Sequence, residues 1–408
     1  MSTVEGWKKE SLSRVAQINM GQSPDSKYYS EEKNGLPFLQ GCAEFTGRFP
    51  KNVLYCSQTK KVALAGSILF SVRAPVGKIN VADQDYIIGR GLAAISGVDV
   101  DQTYLEHYLK YEASSFRNAS QGSTFEAINS SELNKWPIEY PTSKPEQAKI
   151  AEILSTVDRA LEQTEALIAK QQRIKTGLMQ DLLTRGIDEH GNLRTEQTHK
   201  FKDSPLGRIP MELDVRKLSE LVDEDITYGI VQAGPNIENG VPYIRTGDMA
   251  GETININKLL RTSERIAKSY KRSTVYAEDI VFALRATVGK VLPVSKELEG
   301  ANLTQGTAKI SPMASVVPSF LLWALRTAMV RNQIRLHQKG TTFMEITLSD
   351  LRSIEIILPM NRDEQSLISD NLNKHDDLQG QYIHYCLKLR SLKTALMQDL
   401  LTGKKRVS

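Results

Sequence analysis

The sequence predicts an α+β fold built twice, with mixed modules that each lead into one long helix. Three observations carry this. The string Lys175-Thr-Gly-Leu-Met-Gln-Asp-Leu-Leu-Thr184 recurs, with nine of ten residues unchanged, at Lys393-Thr-Ala-Leu-Met-Gln-Asp-Leu-Leu-Thr402. Strand-like runs mix with shorter helical patterns upstream of each copy. Apolar residues then recur every three or four positions over a stretch too long for the core of a small module.

The repeat extends beyond that string. Gln121-Gly-Ser-Thr-Phe125 matches Lys339-Gly-Thr-Thr-Phe343, Ser131-Glu-Leu133 matches Ser349-Asp-Leu351, and Pro141 falls on Pro359, all at the offset of 218. Upstream the offset drifts, as loop insertions would make it do. Phe70-Ser-Val-Arg73-Ala-Pro-Val-Gly77-Lys78 aligns with Phe282-Ala-Leu-Arg285-Ala-Thr-Val-Gly289-Lys290, and Pro37-Phe-Leu39 aligns with Pro242-Tyr-Ile244. A doubled chain has pseudo-twofold symmetry and suits a paired target.

Within the modules, residues 66–72, 278–283, 138–140 and 354–357 read as strands, and short helical patterns lie at residues 104–117 and 320–336. The long helices begin at Ser143-Lys-Pro-Glu146 and Asn361-Arg-Asp-Glu364, which have the form of capping boxes. Pro145 in the first turn loses no hydrogen bond. One apolar stripe runs Ile150, Leu154, Val157, Leu161, Ile168, Leu178, Leu182, and its copy contains Ile368, Leu372, Cys386, Leu396, Leu400. A second, spaced by seven, is Ile153, Ala160, Leu167, Ile174, with Leu378, Tyr385, Leu392 in the second copy. One stripe can bury a partner helix, which leaves the other for a further partner. Roughly 38 residues make a rod of roughly 55–60 Å. The stretch from Arg185 to Pro210 is polar and punctuated by Gly and Pro, a connector.

Composition excludes several classes. With 40% hydrophobic and 25% charged residues, the 408-residue chain is globular and long enough for two or three domains. A net charge of +4 permits nucleic-acid binding without demanding it. Cys42, Cys56 and Cys386 are odd in number and lack metal-site spacing, so reduced thiols and a cytoplasmic setting are expected. The N-terminus has no leader pattern. The longest uncharged window, 16 residues between Lys309 and Arg326, contains Pro312 and Pro318, so no membrane span is expected. No phosphate loop, dinucleotide fingerprint, HExxH, GxSxG or Asn-Pro-Pro-aromatic methyltransferase site is present. Pro24-Asp25 with Glu31-Glu-Lys33 echoes a nuclease metal site, but the second half has no counterpart and a solvated loop is preferred. No catalytic residue and no metal site are assigned.

Gly122-Ser-Thr-Phe125, Pro141, Glu146-Gln147, Ile150 and residues 175–184, repeated as Gly340-Thr-Thr-Phe343, Pro359, Glu364-Gln365, Ile368 and residues 393–402, resemble the specificity subunit of a type I restriction–modification enzyme. Lys202-Asp-Ser-Pro-Leu-Gly-Arg-Ile-Pro210 resembles that family's lead into its second module. The chain departs at Met211-Glu-Leu-Asp-Val215, where a Gly-Trp pair like Gly6-Trp7 often stands.

The resemblance implies two target-recognition domains, each reading half of a split double-stranded DNA sequence. It implies two long antiparallel coiled-coil helices that set their separation and carry methylase subunits, with a restriction/translocase subunit joining. S-adenosylmethionine, ATP and Mg are then expected on the partner subunits and no cofactor in this chain. The segments are residues 1–142 and 211–360 for the domains, 143–184 and 361–402 for the helices, 185–210 for the connector and 403–408 for a basic tail. A stand-alone nuclease or methyltransferase, or a coiled-coil adaptor without DNA specificity, are the competing readings.

Candidate DNA-binding residues are those that repeat in type across the halves. Arg73 and Lys78 pair with Arg285 and Lys290 on basic loops after a strand. Gln121, Ser123 and Thr124 pair with Lys339, Thr341 and Thr342. In each case a plain turn is the structural alternative. Gln40-Gly-Cys and Arg245-Thr-Gly stand at equivalent positions and differ, so Arg245 is a candidate for half-specific reading. Candidate coiled-coil and subunit-docking residues are Ile153, Leu167, Ile174, Leu178 and Leu182, with Leu378, Tyr385, Leu392, Leu396 and Leu400.

Overall fold

In the computed structural model the described residues are 5–51, 54–120, 127–337 and 345–407. They form two compact units, Met1–Ala166 with Ile383–Ser408, and Leu167–Tyr382. Each unit holds one module together with parts of both long helices, a division that the linear order of segments does not reveal.

In the first unit the central layer is an antiparallel four-stranded sheet, in the order Ile79–Val81, Ile68–Ser71, Leu92–Gly97, Ala16–Met20. The Ile68–Ser71 strand is buried throughout because both faces are covered. Ile68 and Phe70 pack with the helical side (Tyr104, Leu105, Leu133, Ile150, Leu154), while Leu69 packs with Leu39, Tyr86 and Ile88 of a second sheet. That second sheet is mixed. Leu36–Leu39 runs parallel to Tyr86–Ile88, with Leu39 opposite Ile88. A two-strand ribbon, Trp7–Ser11 on Pro137–Pro141, closes the module at its junction with the long helix.

The second unit repeats the plan. Its sheet runs Thr227–Tyr228, Thr307–Ile310, Ile280–Ala283, Val291–Pro293. Ile280 and Phe282 face the helical core, and Val281 and Ala283 the other side. The parallel pairing recurs, with Ile244 of Val241–Ile244 opposite Leu303. The ribbon recurs as Leu213–Lys217 on Glu355–Pro359. Leu213 opposes Pro359 as Trp7 opposes Pro141, so Leu213 takes the place of the missing tryptophan. The connector ends in a hairpin, Phe201–Ser204 with Gly207–Pro210.

Each helical stretch of the modules holds two helices. The first is Gln102–Tyr111 and Ala113–Ser120. The second is Pro318–Leu325 and Ala328–His337, broken where the Thr327 hydroxyl accepts from Val330 N–H and starts a new helix.

The long helices span Lys144–Arg185 and Arg362–Leu400. Within each unit their segments run antiparallel. In the first, Lys393 meets Asp158 at 2.6 Å and Arg390 meets Glu165 at 2.7 Å. In the second, Lys175 meets Asp376 and Gln379 meets Gln172, both at 2.7 Å. The ends of the first stripe enter the module cores: Ile150 and Leu154 in the first unit, Leu182 in the second.

The capping boxes form only by half. Ser143 Oγ accepts from Glu146 N–H at 3.4 Å, and Asn361 caps Asp363 N–H rather than Glu364. Both glutamates instead hold an arginine beyond the end of the antiparallel helix. Glu146 takes Arg406, and Glu364 takes Arg194 through two bonds of 2.6 and 2.9 Å. A carboxylate gains more from a bidentate guanidinium than from a backbone N–H. The basic tail is therefore held: Arg406 is clamped, and Gly403 lies on the Trp7 indole, where a Cβ would sit 2.9 Å from the ring. The adjacent glutamines fasten helix to module. Gln147 bonds Pro141 O and Asp101 N–H, and Gln365 bonds Pro359 O and Val317 N–H.

Candidate nucleic-acid interface

At one end of the parallel strand pair, four loops of the first module converge. Gln22 N–H donates to Ile88 O, and Gly89 N–H to Leu39 O. Gly91 N–H donates to Gln40 O, and Val72 N–H, next to Arg73, to Gly91 O. Residues 21–23, 40–41, 72–78 and 89–91 are thus tied together by main-chain bonds. Glycine makes the approach possible. A Cβ on Gly89 would sit 2.9 Å from Gln40 Cα, one on Gly91 2.7 Å from Gln40 O, and one on Gly21 would run into Gly89 O.

Three polar side chains crown this knot. The Gln40 amide lies on Ser23, donating from Nε2 to Oγ at 3.0 Å, and Ser23 Oγ accepts from Arg90 N–H at 3.2 Å. Gln40, Arg73, Lys78 and Arg90 are exposed. Among the described residues the side chains of the last three make no ion pair and no hydrogen bond.

The second module repeats the knot with other side chains. Ile230 N–H donates to Leu303 O, Thr304 N–H to Ile244 O, Gln305 N–H to Ile230 O, and Leu284 N–H, next to Arg285, to Gly306 O. Gly229 and Gly306 stand where Gly21 and Gly91 stand. Arg245 occupies the Gln40 position, and Asp248 holds its Nε and Nη2 at 3.0 and 2.9 Å. That bond raises the Arg245 pKa further, so the charge is fixed. Val231, exposed and apolar, replaces Ser23.

The sequence candidates divide accordingly. Arg73, Arg245 and Arg285 lie on the converging loops. Arg285 pairs with Glu345 at 3.0 Å, whereas Arg73 stands opposite Ala127. Lys78 is at the far end of its loop. Lys290 bonds Glu252 at 2.9 Å, which holds that carboxyl below its ordinary range, and borders a cavity of about 680 Å³ shared with Lys175, Trp323 and Arg326. Gln121, Ser123, Thr124, Lys339, Thr341 and Thr342 lie outside the described residues. Ser23, Arg90 and Gln305 were missed. The signal that could have found them is Gly89-Arg-Gly91, a charge flanked by glycines after an apolar strand.

Of the helix candidates, Leu182 and Leu400 are buried in module cores, and Ile153, Ile174, Leu178, Leu378 and Leu396 are half-buried. Leu167, Tyr385 and Leu392 are exposed among the described residues. Asp25 caps a short turn through Lys27 N–H rather than joining Glu31 and Glu32. Among the described residues no group of three His, Cys, Asp or Glu could hold a metal. No helix among them is long and apolar enough to cross a membrane.

Two modules on one doubled frame, each presenting a different set of hydrogen-bonding side chains, define a paired recognition protein. The family model for the type I restriction modification DNA specificity domain matches residues 4–171 and 210–383, and the chain belongs to that family. It is 38% identical over 184 residues to the MjaX type I restriction enzyme specificity subunit of Methanocaldococcus jannaschii, a match that spans 44% of this chain and 43% of that protein. It is 22% identical over 392 residues to the EcoBI specificity subunit of Escherichia coli, covering 90% and 79% of the two. Its fold is similar to that of the type I restriction–modification S subunit from M. genitalium, with a TM-score of 0.64 at 17% identity over 98% of both chains.

Proposed function

We propose that this chain is the DNA-recognition subunit of a type I restriction–modification complex. Each module reads one half of a bipartite duplex target, and the helix pair sets the spacing. Methylase subunits dock on the helices, where exposed Leu167, Tyr385 and Leu392 offer apolar surface. The chain is non-catalytic and acts in the cytoplasm. Methylation and DNA translocation belong to the methylase and restriction subunits, which bind S-adenosylmethionine, ATP and Mg.

The observation that carries this reading is the doubled loop knot. Three main-chain bonds and two glycines of the knot are shared, while the outward side chain is Gln40 in one module and Arg245 in the other. Such a frame lets phosphate contacts position a module and base-edge contacts specify it. The test is a mobility-shift assay of the chain with its methylase partner, using random duplex as competitor. A preferred split sequence is expected. Equal affinity for all duplexes would reduce the chain to an adaptor, and methylation or cleavage by the chain alone would make it an enzyme.

A further inference from the structure

We propose that the residue ending the parallel strand of each module reads a base, Gln40 an adenine and Arg245 a guanine. This rests on the reading of the modules as DNA-binding. The two residues directly follow Leu39 and Ile244, which hold the same register against Ile88 and Leu303. Neither side chain serves the core. Gln40 is exposed and Arg245 is 44% exposed. What is fixed at these positions is the main chain, pressed by Gly89 and Gly91 in one module and bonded to Thr304 through Ile244 O in the other.

Both side chains are held by a neighbour before any partner binds, and Arg245 keeps a free hydrogen-bonding edge. Ser23 Oγ lies against the donor–acceptor edge of the Gln40 amide, 3.0 Å from Nε2 and 3.2 Å from Oε1, so that edge is satisfied by a hydroxyl that a base edge can replace. That donor–acceptor pair matches adenine N7 and N6–H. Asp248 takes Nε and one Nη2 proton of Arg245, leaving Nη1 and the other Nη2 proton as a two-donor edge. That edge matches guanine O6 and N7. Holding Arg245 before binding removes the cost of ordering it on the DNA, whereas Gln40 exchanges the Ser23 hydroxyl for the base edge.

The neighbours fit this assignment. Exposed Arg73 and Arg90 flank Gln40, each free of ion pairs among the described residues and placed to meet phosphate. In the second module Gln305 stands at the Arg90 position, so the two knots differ in charge as well as in the reading residue.

The experiment selects bound duplexes from a randomised pool, using the chain assembled with its methylase partner, and sequences them. The wild type is expected to return a bipartite motif. Gln40→Arg should convert one A·T pair of one half-site to G·C and leave the other half unchanged. Arg245→Gln should convert one G·C pair to A·T in the other half. Each variant should lose about ten- to a hundredfold of its preference for the original base. Gln40→Ala and Arg245→Ala should relax the same base pairs without a new preference, which decides the matter if a swapped variant fails to fold. A wild-type motif that persists unchanged in all four variants overturns the proposal. So does a loss spread evenly over all sequences, which is the mark of a phosphate contact or a structural role. A wild type that selects no motif brings down the DNA-reading function itself.

Discussion

The two units share a frame and differ in how they hold charge. In the first, Arg73, Lys78 and Arg90 stand without carboxylate partners among the described residues, and the clamp arginine, Arg406, is half exposed. In the second, Arg245, Arg285 and Lys290 each face an acid (Asp248, Glu345 and Glu252), and the clamp arginine is buried. The difference teaches that the two units keep the sheet register and three of the main-chain bonds that join these loops, while the ion pairing around them differs. Loops need only the frame to stay in place; their side chains are free to diverge.

The largest expected difference lies in the clamps. Arg194 and Glu364 retain only 7% and 10% side-chain exposure, and Glu364 also accepts from Ile187 N–H at 2.9 Å. Removing one partner leaves a buried charge uncompensated. Glu364→Ala should therefore destabilise the second unit by about 3–5 kcal/mol. Glu146→Ala should cost the first unit clearly less, because Arg406, at 49% exposure, can turn to water. Unit-resolved hydrogen exchange in denaturant measures both, and equal losses would show that burial does not separate the two clamps.

A second contrast is chemical. His107 and Trp323 occupy equivalent places on the module helices, and each bonds the long helix: His107 Nε2 to Ser155 Oγ at 3.0 Å, Trp323 Nε1 to Asn373 Oδ1 at 2.8 Å. Burial, aided by the Lys110 and Lys393 charges and opposed by Asp158 and Glu106, pushes the His107 pKa down to about 4. The unfolded chain, titrating near 6.5, binds the proton more readily, so this contribution is lost as pH falls from about 6.5 to 4. At most ~3 kcal/mol follows from a shift of that size. The second unit has no histidine there, and its buried Asp279, raised by desolvation, works in the opposite direction. Hydrogen exchange at pH 7 and pH 4.5 should show the first unit loosening more than the second. His107→Gln should remove most of the difference, and an unchanged pH response would take His107 out of the account.

The sequence made the repeat and the long helices legible, because both leave periodic or literal traces. Ile68-Leu-Phe70 and Ile280-Val-Phe282 were readable as strands for the same reason, a continuous apolar run bounded by Gly66 and by Asp279. The clamps were not legible. A glutamate three residues after a cap has the same pattern whether it closes a box or awaits an arginine, and only the fold brings Arg406 to Glu146. The knot was half legible. Arg73, Arg285 and Arg245 stood out because they repeat in type or place. Ser23 and Arg90 escaped because their role depends on loops from distant parts of the chain meeting at Gln40.

The smallest contrast concerns salt. Each phosphate neutralised by a cation steepens the fall of binding with salt by about one unit of log–log slope. Arg73 has no competing carboxylate among the described residues, so Arg73→Ala should flatten the slope by about one. Arg285 is engaged by Glu345 at 3.0 Å, with both side chains half exposed. As long as that pair persists on DNA the guanidinium displaces no counterion, and Arg285→Ala should leave the slope nearly unchanged. Glu345→Gln then becomes the sharper probe. It frees Arg285 without removing it, and should steepen the slope toward that of a module with an unpaired arginine. Titrations of the chain in its proposed complex at several salt concentrations give the three slopes. Equal flattening by Arg73→Ala and Arg285→Ala, with no change from Glu345→Gln, would mean that DNA pulls Arg285 off its carboxylate. The two modules would then grip phosphate alike despite their different charge pairing.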